Sequence, residues 1–164
     1  MKRLYLIRHA KSSKDLPGIK DKDRPLNKRG KREVRYIGKL LKKYGIVVQV
    51  FYSSPTRRAF DTAAVIAKKV GFPLKKIKVV NLLYNSNIPK LMKVIKKIDD
   101  KMESAVIFGH NPEFFNLVNH LTPRMVRGFP TCGVFGIDFA IDSWRLAARK
   151  KGKLVFFEFP KKDT

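Results

Sequence analysis

An α/β fold around a mostly parallel sheet is what this sequence predicts, on two observations. Short apolar runs recur at residues 4–7, 47–52, 77–80, 105–108, 134–141 and 154–159. Between the first four lie stretches whose apolar residues return at helical spacing instead. Strands alternating with helices build a parallel sheet, because a parallel neighbour needs a crossover connection. The last two runs have no long helix between them, so an antiparallel edge strand is expected. The 164 residues, 44% of them hydrophobic, suffice for one domain with its own core. No repeat, linker or composition break divides them, so residues 1–164 are expected to form a single domain.

The helical stretches have readable faces. Val34, Ile37, Leu41 and Tyr44 share one face of the first, with Arg32, Arg35, Lys39 and Lys43 on the others. Phe60, Ala63, Ala64, Ala67 and Val70 mark the second, and Gly71 is placed to stop it. Leu91, Ile95 and Ile98 mark a third. A fourth is expected from near Pro112 through Phe115, Leu117, Val118 and Leu121. Ser54-Pro55 and Asn111-Pro112 read as caps followed by a proline at the first helical position.

Composition narrows the setting. Cys132 is the one cysteine, so no intramolecular disulfide can form and a reducing, cytoplasmic location is expected. The first residues hold too few apolar side chains for a signal peptide, and no run approaches the ~20 needed to span a bilayer. Lys and Arg number 37 against 13 Asp and Glu, a net charge of +24. The excess is spread over many segments. It favours an anionic partner without naming one, and a basic proteome would produce the same excess.

In open α/β sheets, ligands bind beyond the carboxyl ends of the strands. The residues there are Arg8-His9, then "SSPTRRAFDTA" (53–63), then "GHNP" (109–112). Two histidines and a pair of arginines thus point to one edge, beside two helix starts that suit an anion. A neutral imidazole can attack phosphorus. Arginine forks hold the charged oxygens of a transferring phosphoryl group. A second, protonated histidine would add another donor. The set amounts to a metal-free phosphohistidine chemistry, with no cofactor.

These segments resemble the histidine phosphatase superfamily, which includes the cofactor-dependent phosphoglycerate mutases. "LIRHAKS" resembles its Arg-His-Gly type motif, with Ala10 in place of the glycine, and "DRPLNKRG" (23–30), "SSPTRRAFDTA" and "VIFGHNP" (106–112) follow in family order. The short length, Ala10 and "PTCG" near the end look most like the SixA-type phosphohistidine phosphatases. The resemblance implies a phosphoglycerate mutase-like three-layer sandwich with helices on both faces. It implies His9 as nucleophile, Arg8 and Arg58 as phosphoryl-binding arginines, and His110 as the second pocket histidine. Arg57 takes the place of Arg58 if the alignment slips by one. Many superfamily members carry a glutamate proton donor after the third strand; here "NLLYNSNIP" (81–89) has none. A labile P–N bond tolerates that loss better than a phosphate ester does, since general acid catalysis contributes about 10²–10⁴-fold.

Lys11, Ser12, Arg24, Tyr84, Asn111 and Thr131 are candidates to line the pocket or touch substrate. Four have a plainer reading: basic surface for Lys11 and Arg24, a local backbone bond for Ser12, an aromatic wall for Tyr84. His120 is expected to be structural and Cys132 a small buried residue. "DKD" (21–23) mimics a catalytic aspartate pair but follows no apolar strand. The expected activity is phosphohistidine hydrolysis, with an acidic phosphohistidine-carrying protein as one possible partner and no membrane. A broader phosphomonoesterase and a basic nucleic-acid-binding module are the alternatives. His9→Ala separates them, because it removes hydrolysis but spares salt-sensitive polyanion binding.

Overall fold

The computed structural model describes residues 1–161. Its sheet is six-stranded. In chain order the elements are β1 (Lys2–Arg8), α1 (Lys28–Lys43), β2 (Val50–Ser53), α2 (Arg57–Val70), β3 (Lys78–Val79), α3 (Ile88–Lys96), β4 (Ser104–Gly109), α4 (Glu113–Leu121), β5 (Val134–Phe139) and β6 (Lys153–Glu158). Across the sheet the order is β3-β2-β4-β1-β5-β6. The β1–β4, β4–β2 and β2–β3 pairs are parallel. The expected antiparallel pairing lies on the far side, where β5 runs against both β1 and β6.

β1 is central because both of its faces are apolar. Leu4 and Leu6 are fully buried on one side, against Leu91, Ile95, Leu117 and Trp144. Tyr5 and Ile7 are buried on the other, against Ile37, Ala63, Ile66 and Phe108. α3 and α4 therefore cover one face and α1 and α2 the opposite one, giving the three layers. Because β1, β4 and β2 are parallel, with Arg8 beside Gly109 and Ser53 beside Phe108, their carboxyl ends lie at one edge of the sheet.

Several boundaries differ from the sequence reading. Val47 is 77% exposed, so the second strand starts only at Val50, where pairing with β4 begins at Ala105. In α4 the core residue is Phe114, fully buried, while Phe115 is half-buried. Leu117, Val118 and Leu121 are buried as expected, so only the choice between two adjacent phenylalanines differs. Thr56, not Ser54, caps α2, accepting from the Ala59 N–H at 3.3 Å. Gly71 ends α2 in the left-handed region, φ 81°, as its position suggested. His120 is exposed in the last turn of α4.

Candidate active site

The backbone of Arg8 and His9 is clamped on both sides. The His9 N–H donates to the Gly109 carbonyl at the end of β4, at 3.1 Å. The Arg8 N–H donates to the Gly133 carbonyl at 3.2 Å. The Cys132 N–H is shared between the carbonyls of Arg8 and His9, at 3.0 and 3.1 Å. Cys132 adopts φ 57° to turn it inward and is fully buried. One more tie holds the turn: the Ala10 N–H donates to Thr62 Oγ1 at 3.0 Å, and Thr62 donates to the Arg58 carbonyl at 2.7 Å.

That clamp fixes the His9 ring. Nδ1 lies 2.8 Å from the Ala10 carbonyl. A carbonyl only accepts, so Nδ1 carries the proton and the lone pair of the neutral ring sits on Nε2. Burial pushes the His9 pKa down to about 3, with His110, Arg58 and Arg8 adding repulsion against the partial support of the Ala10 carbonyl. His9 is therefore neutral over the physiological range.

Strand ends β2 and β4 supply the facing groups. The His110 ring lies 5.1 Å from that of His9, centroid to centroid. Its Nε2 meets Ser54 Oγ at 2.8 Å and Thr56 Oγ1 at 3.4 Å. Ser54 is thus a partner of His110 rather than the expected helix cap. Burial first, then Arg58, pushes the His110 pKa down to about 4. Burial, more than the neighbouring cations, thus favours the neutral form of His110 in the free protein. Asn111 does not cap α4 either: Pro112 holds that position after a cis peptide bond. Asn111 Oδ1 still accepts from the Phe115 N–H at 3.2 Å, and its Nδ2 donates to the Phe129 carbonyl at 2.9 Å.

The arginines separate cleanly. Arg58 is 5% exposed and donates from Nη1 to the Asp21 carbonyl at 2.7 Å and from Nη2 to Asp21 Oδ2 at 3.1 Å. Arg57 points away, pairing with Asp61 at 3.5 Å on the solvent side. Arg8 donates from Nη1 to the Phe129 carbonyl at 2.9 Å. The Nε atoms of Arg8 and Arg58 are buried without a protein acceptor, so neither guanidinium is fully satisfied by the chain itself.

Asp21 is the residue that the sequence reading set aside. Its carboxylate accepts from Tyr84 Oη at 2.6 Å, Arg58 at 3.1 Å and Arg24 Nε at 3.1 Å. Arg24 also donates to Ser12 Oγ at 2.9 Å, so the Ser12 hydroxyl holds a side chain. The Tyr84 ring meets the His110 ring edge-on at 5.7 Å. The hydrogen bond from Tyr84 is the main reason that the Asp21 pKa falls to about 2, with Arg58 and Arg24 assisting against desolvation.

These groups surround a cleft of about 250 Å³. Every residue singled out from the sequence lines it: Arg8, His9, Lys11, Ser12, Arg24, Arg58, Tyr84, His110, Asn111 and Thr131. Lys14, Asp21, Asn85 and Glu113 join them. Two carboxylates thus reach the cleft although none follows the third strand. Nothing in the local pattern announced Glu113, beyond its place right after "GHNP". Among the described residues no helix is long and apolar enough to cross a membrane.

Comparison with known proteins gives a consistent likeness. Residues 4–83 match the model of the histidine phosphatase superfamily, branch 1. A chloroplastic protein of Arabidopsis thaliana without an assigned function is 26% identical over 159 residues, covering 92% of this chain and 72% of that one. A crystal structure from Agrobacterium tumefaciens, provisionally named phosphohistidine phosphatase SixA, superposes with a TM-score of 0.83 at 25% identity, covering 98% of this chain and 99% of the other. The protein histidine phosphatase SixA complexed with tungstate superposes equally well, TM-score 0.83 at 19% identity, over 96% and 97% of the two chains.

Proposed function

From the match of residues 4–83 to the histidine phosphatase superfamily model and the fold shared with SixA structures, we propose that the chain is a member of that superfamily and hydrolyses phosphohistidine through a phosphorylated His9. It is a phosphatase-type hydrolase. The observation that carries the finer reading is the His9 tautomer. With Nδ1–H held by the Ala10 carbonyl at 2.8 Å, the Nε2 lone pair faces a cleft shared with Arg8, Arg58 and His110.

The reaction is read as two in-line displacements. His9 Nε2 forms a bond to phosphorus while the P–N bond of the substrate breaks, its electron pair returning to the departing imidazole. Water then attacks phosphorus, the bond to Nε2 breaks, the pair returns to His9, and phosphate leaves with the proton of the water released to solvent. Arg8 and Arg58 hold the phosphoryl oxygens in both steps. An arriving dianion also offsets the cations that depress the His110 pKa, so His110 gains a proton and becomes a donor. In this reading positive charge comes from side chains and no metal is required.

A phosphohistidine substrate suits the cleft because the P–N bond needs less help to break than an ester. Asp21, ionised and tied to three donors, has no proton to give. The carrier is read as a protein with an acidic surface, since Lys11, Lys14 and Arg24 line the cleft and the chain carries +24. A location in the cytoplasm accords with the single cysteine.

One observation favours the second reading, a broader phosphomonoesterase on the same groups. Glu113 lines the cleft with one carboxyl oxygen buried and unpartnered, and the second reading assigns it the part of general acid toward an alkoxide. A phosphate-release panel of phosphohistidine protein, phosphoserine peptide and sugar phosphates separates the two. The first reading expects turnover on phosphohistidine alone. It fails if the esters are cleaved faster, and Glu113→Gln then identifies the acid. Intact-mass analysis after a rapid alkaline quench should show a phosphorylated chain that His9→Ala lacks, together with a loss of at least about 10³-fold in rate.

A further inference from the structure

A carboxylate is the last group that a phosphate cleft would be expected to hold, yet Asp21 stands among the arginines. Oδ2 accepts from Tyr84 and Arg58, and Oδ1 accepts from Arg24. An ionised carboxylate offers about four acceptor positions, and these partners use three, leaving one on Oδ1. The side chain is 50% exposed and opens onto the same cleft as His9 and His110. With its pKa held near 2, Asp21 is ionised wherever the protein works and cannot act as an acid.

A fixed negative charge beside Arg58 opposes any incoming dianion. Holding the arginines in place accounts for part of its presence, but a neutral acceptor such as Asn would hold them without repulsion. The charge gives an advantage only if another part of the substrate is positive. In a phosphorylated imidazole, the ring nitrogen distal to phosphorus takes up a proton and becomes a cationic N–H donor. A serine or sugar phosphate presents no such donor.

Resting on the phosphohistidine reading above, we propose that Asp21 is a specificity-determining residue. Its open Oδ1 position accepts the distal N–H of the substrate's phosphorylated imidazolium, selecting N-phosphoryl substrates over phosphate esters. As His9 Nε2 bonds to phosphorus, the substrate P–N bond breaks and its electron pair returns to the substrate ring. The distal nitrogen already holds a proton, so the ring departs neutral and no acid has to supply one. This explains how the cleft dispenses with a proton donor for its own substrate. Charge-assisted hydrogen bonds of this kind select strongly, because removing the partner charge leaves the cation facing Arg24, Arg58 and Lys11 unaided.

The test compares wild type, Asp21→Asn and Asp21→Glu on two small substrates. One is free phosphohistidine. The other is p-nitrophenyl phosphate, whose leaving group departs without a proton. Asp21→Asn should lower kcat/KM on phosphohistidine at least about tenfold more than on p-nitrophenyl phosphate. Asp21→Glu should bring that ratio back to within about threefold of wild type. The wild-type advantage over Asp21→Asn should also shrink as pH rises and the substrate ring loses its proton. An equal fall on both substrates would mean that Asp21 only positions Arg58, and the proposal is then wrong. No fall on either substrate overturns it too. If wild type fails to cleave phosphohistidine at all, the functional reading itself falls, and the wild-type measurement alone reveals that.

Discussion

His110 and His9 face each other with ring centroids 5.1 Å apart and planes tilted by 52°, and both are neutral in the free protein. Their pKa values, about 3 and about 4 for His9 and His110, lie below the ordinary 6.5 of an unfolded chain. Below pH 6.5 the unfolded chain therefore binds protons that the folded one refuses. Stability present above that pH is lost as pH falls toward 4, by roughly 2 kcal/mol for each histidine at pH 5. Chemical denaturation at pH 7 and pH 5 measures the loss. Proton NMR should show neither ring titrating between pH 5 and 8, and added orthovanadate should raise the His110 midpoint. A His9 midpoint near 6.5 would contradict the burial argument.

Arg57 and Arg58 are adjacent in sequence but have opposite surroundings. Arg58→Ala should reduce kcat/KM about 10²–10³-fold, the range for losing a preorganised donor to developing charge. Arg57→Ala removes a partner of Asp61 on the solvent side and should change kcat/KM less than about twofold, since exposed pairs contribute little. Steady-state kinetics on both variants decides the register of the motif.

Thr62 ties the turn at His9 and Ala10 to α2 through two hydrogen bonds, from Ala10 at 3.0 Å and to Arg58 at 2.7 Å. Thr62→Val keeps the volume but leaves the Ala10 N–H buried without an acceptor. The expected cost is about 1–3 kcal/mol, seen as a lower urea midpoint. Thr62→Ser restores the hydroxyl and should recover most of it.

Gly30 lets α1 touch the loop after His9. A Cβ there would stand 2.0 Å from the Lys11 carbonyl oxygen, which is backbone and cannot swing aside. That carbonyl also accepts from the Asn27 N–H at 3.0 Å. Gly30→Ala should destabilise by about 1–3 kcal/mol and displace Lys11 and Ser12, raising KM. Differential scanning calorimetry and kinetics on one preparation check both.

Much of this was legible before folding. The alternation of runs gave the parallel strands, and reading the residues after the strands gave Arg8, His9, the Arg57-Arg58 pair and His110; the family resemblance chose Arg58, which lines one cleft with Arg8, His9 and His110. Helix faces were clear where charge and apolar residues alternate, as in α1. They blurred where neighbours were alike: Phe114 and Phe115 differ only in which one the sheet covers. Caps failed for a related reason. Ser54 has the chemistry of a cap, but its hydroxyl is claimed by His110, a residue that local sequence cannot bring near.

Periodicity and strand-end position are properties of the chain over a few residues, so the sequence alone determined the layers of the fold and which strand-end residues line the cleft. Asp21 belongs to the other class. Its partners Arg58 and Tyr84 lie 37 and 63 residues away, and its neighbours DKD describe an ordinary solvated turn. Only when β1, β2 and β4 align their ends does that turn fall across the arginines, and a carboxylate that looked incidental becomes the negative charge in a cationic cleft. Side-chain chemistry is written residue by residue, whereas the field in which each group works is summed over segments that meet through the sheet.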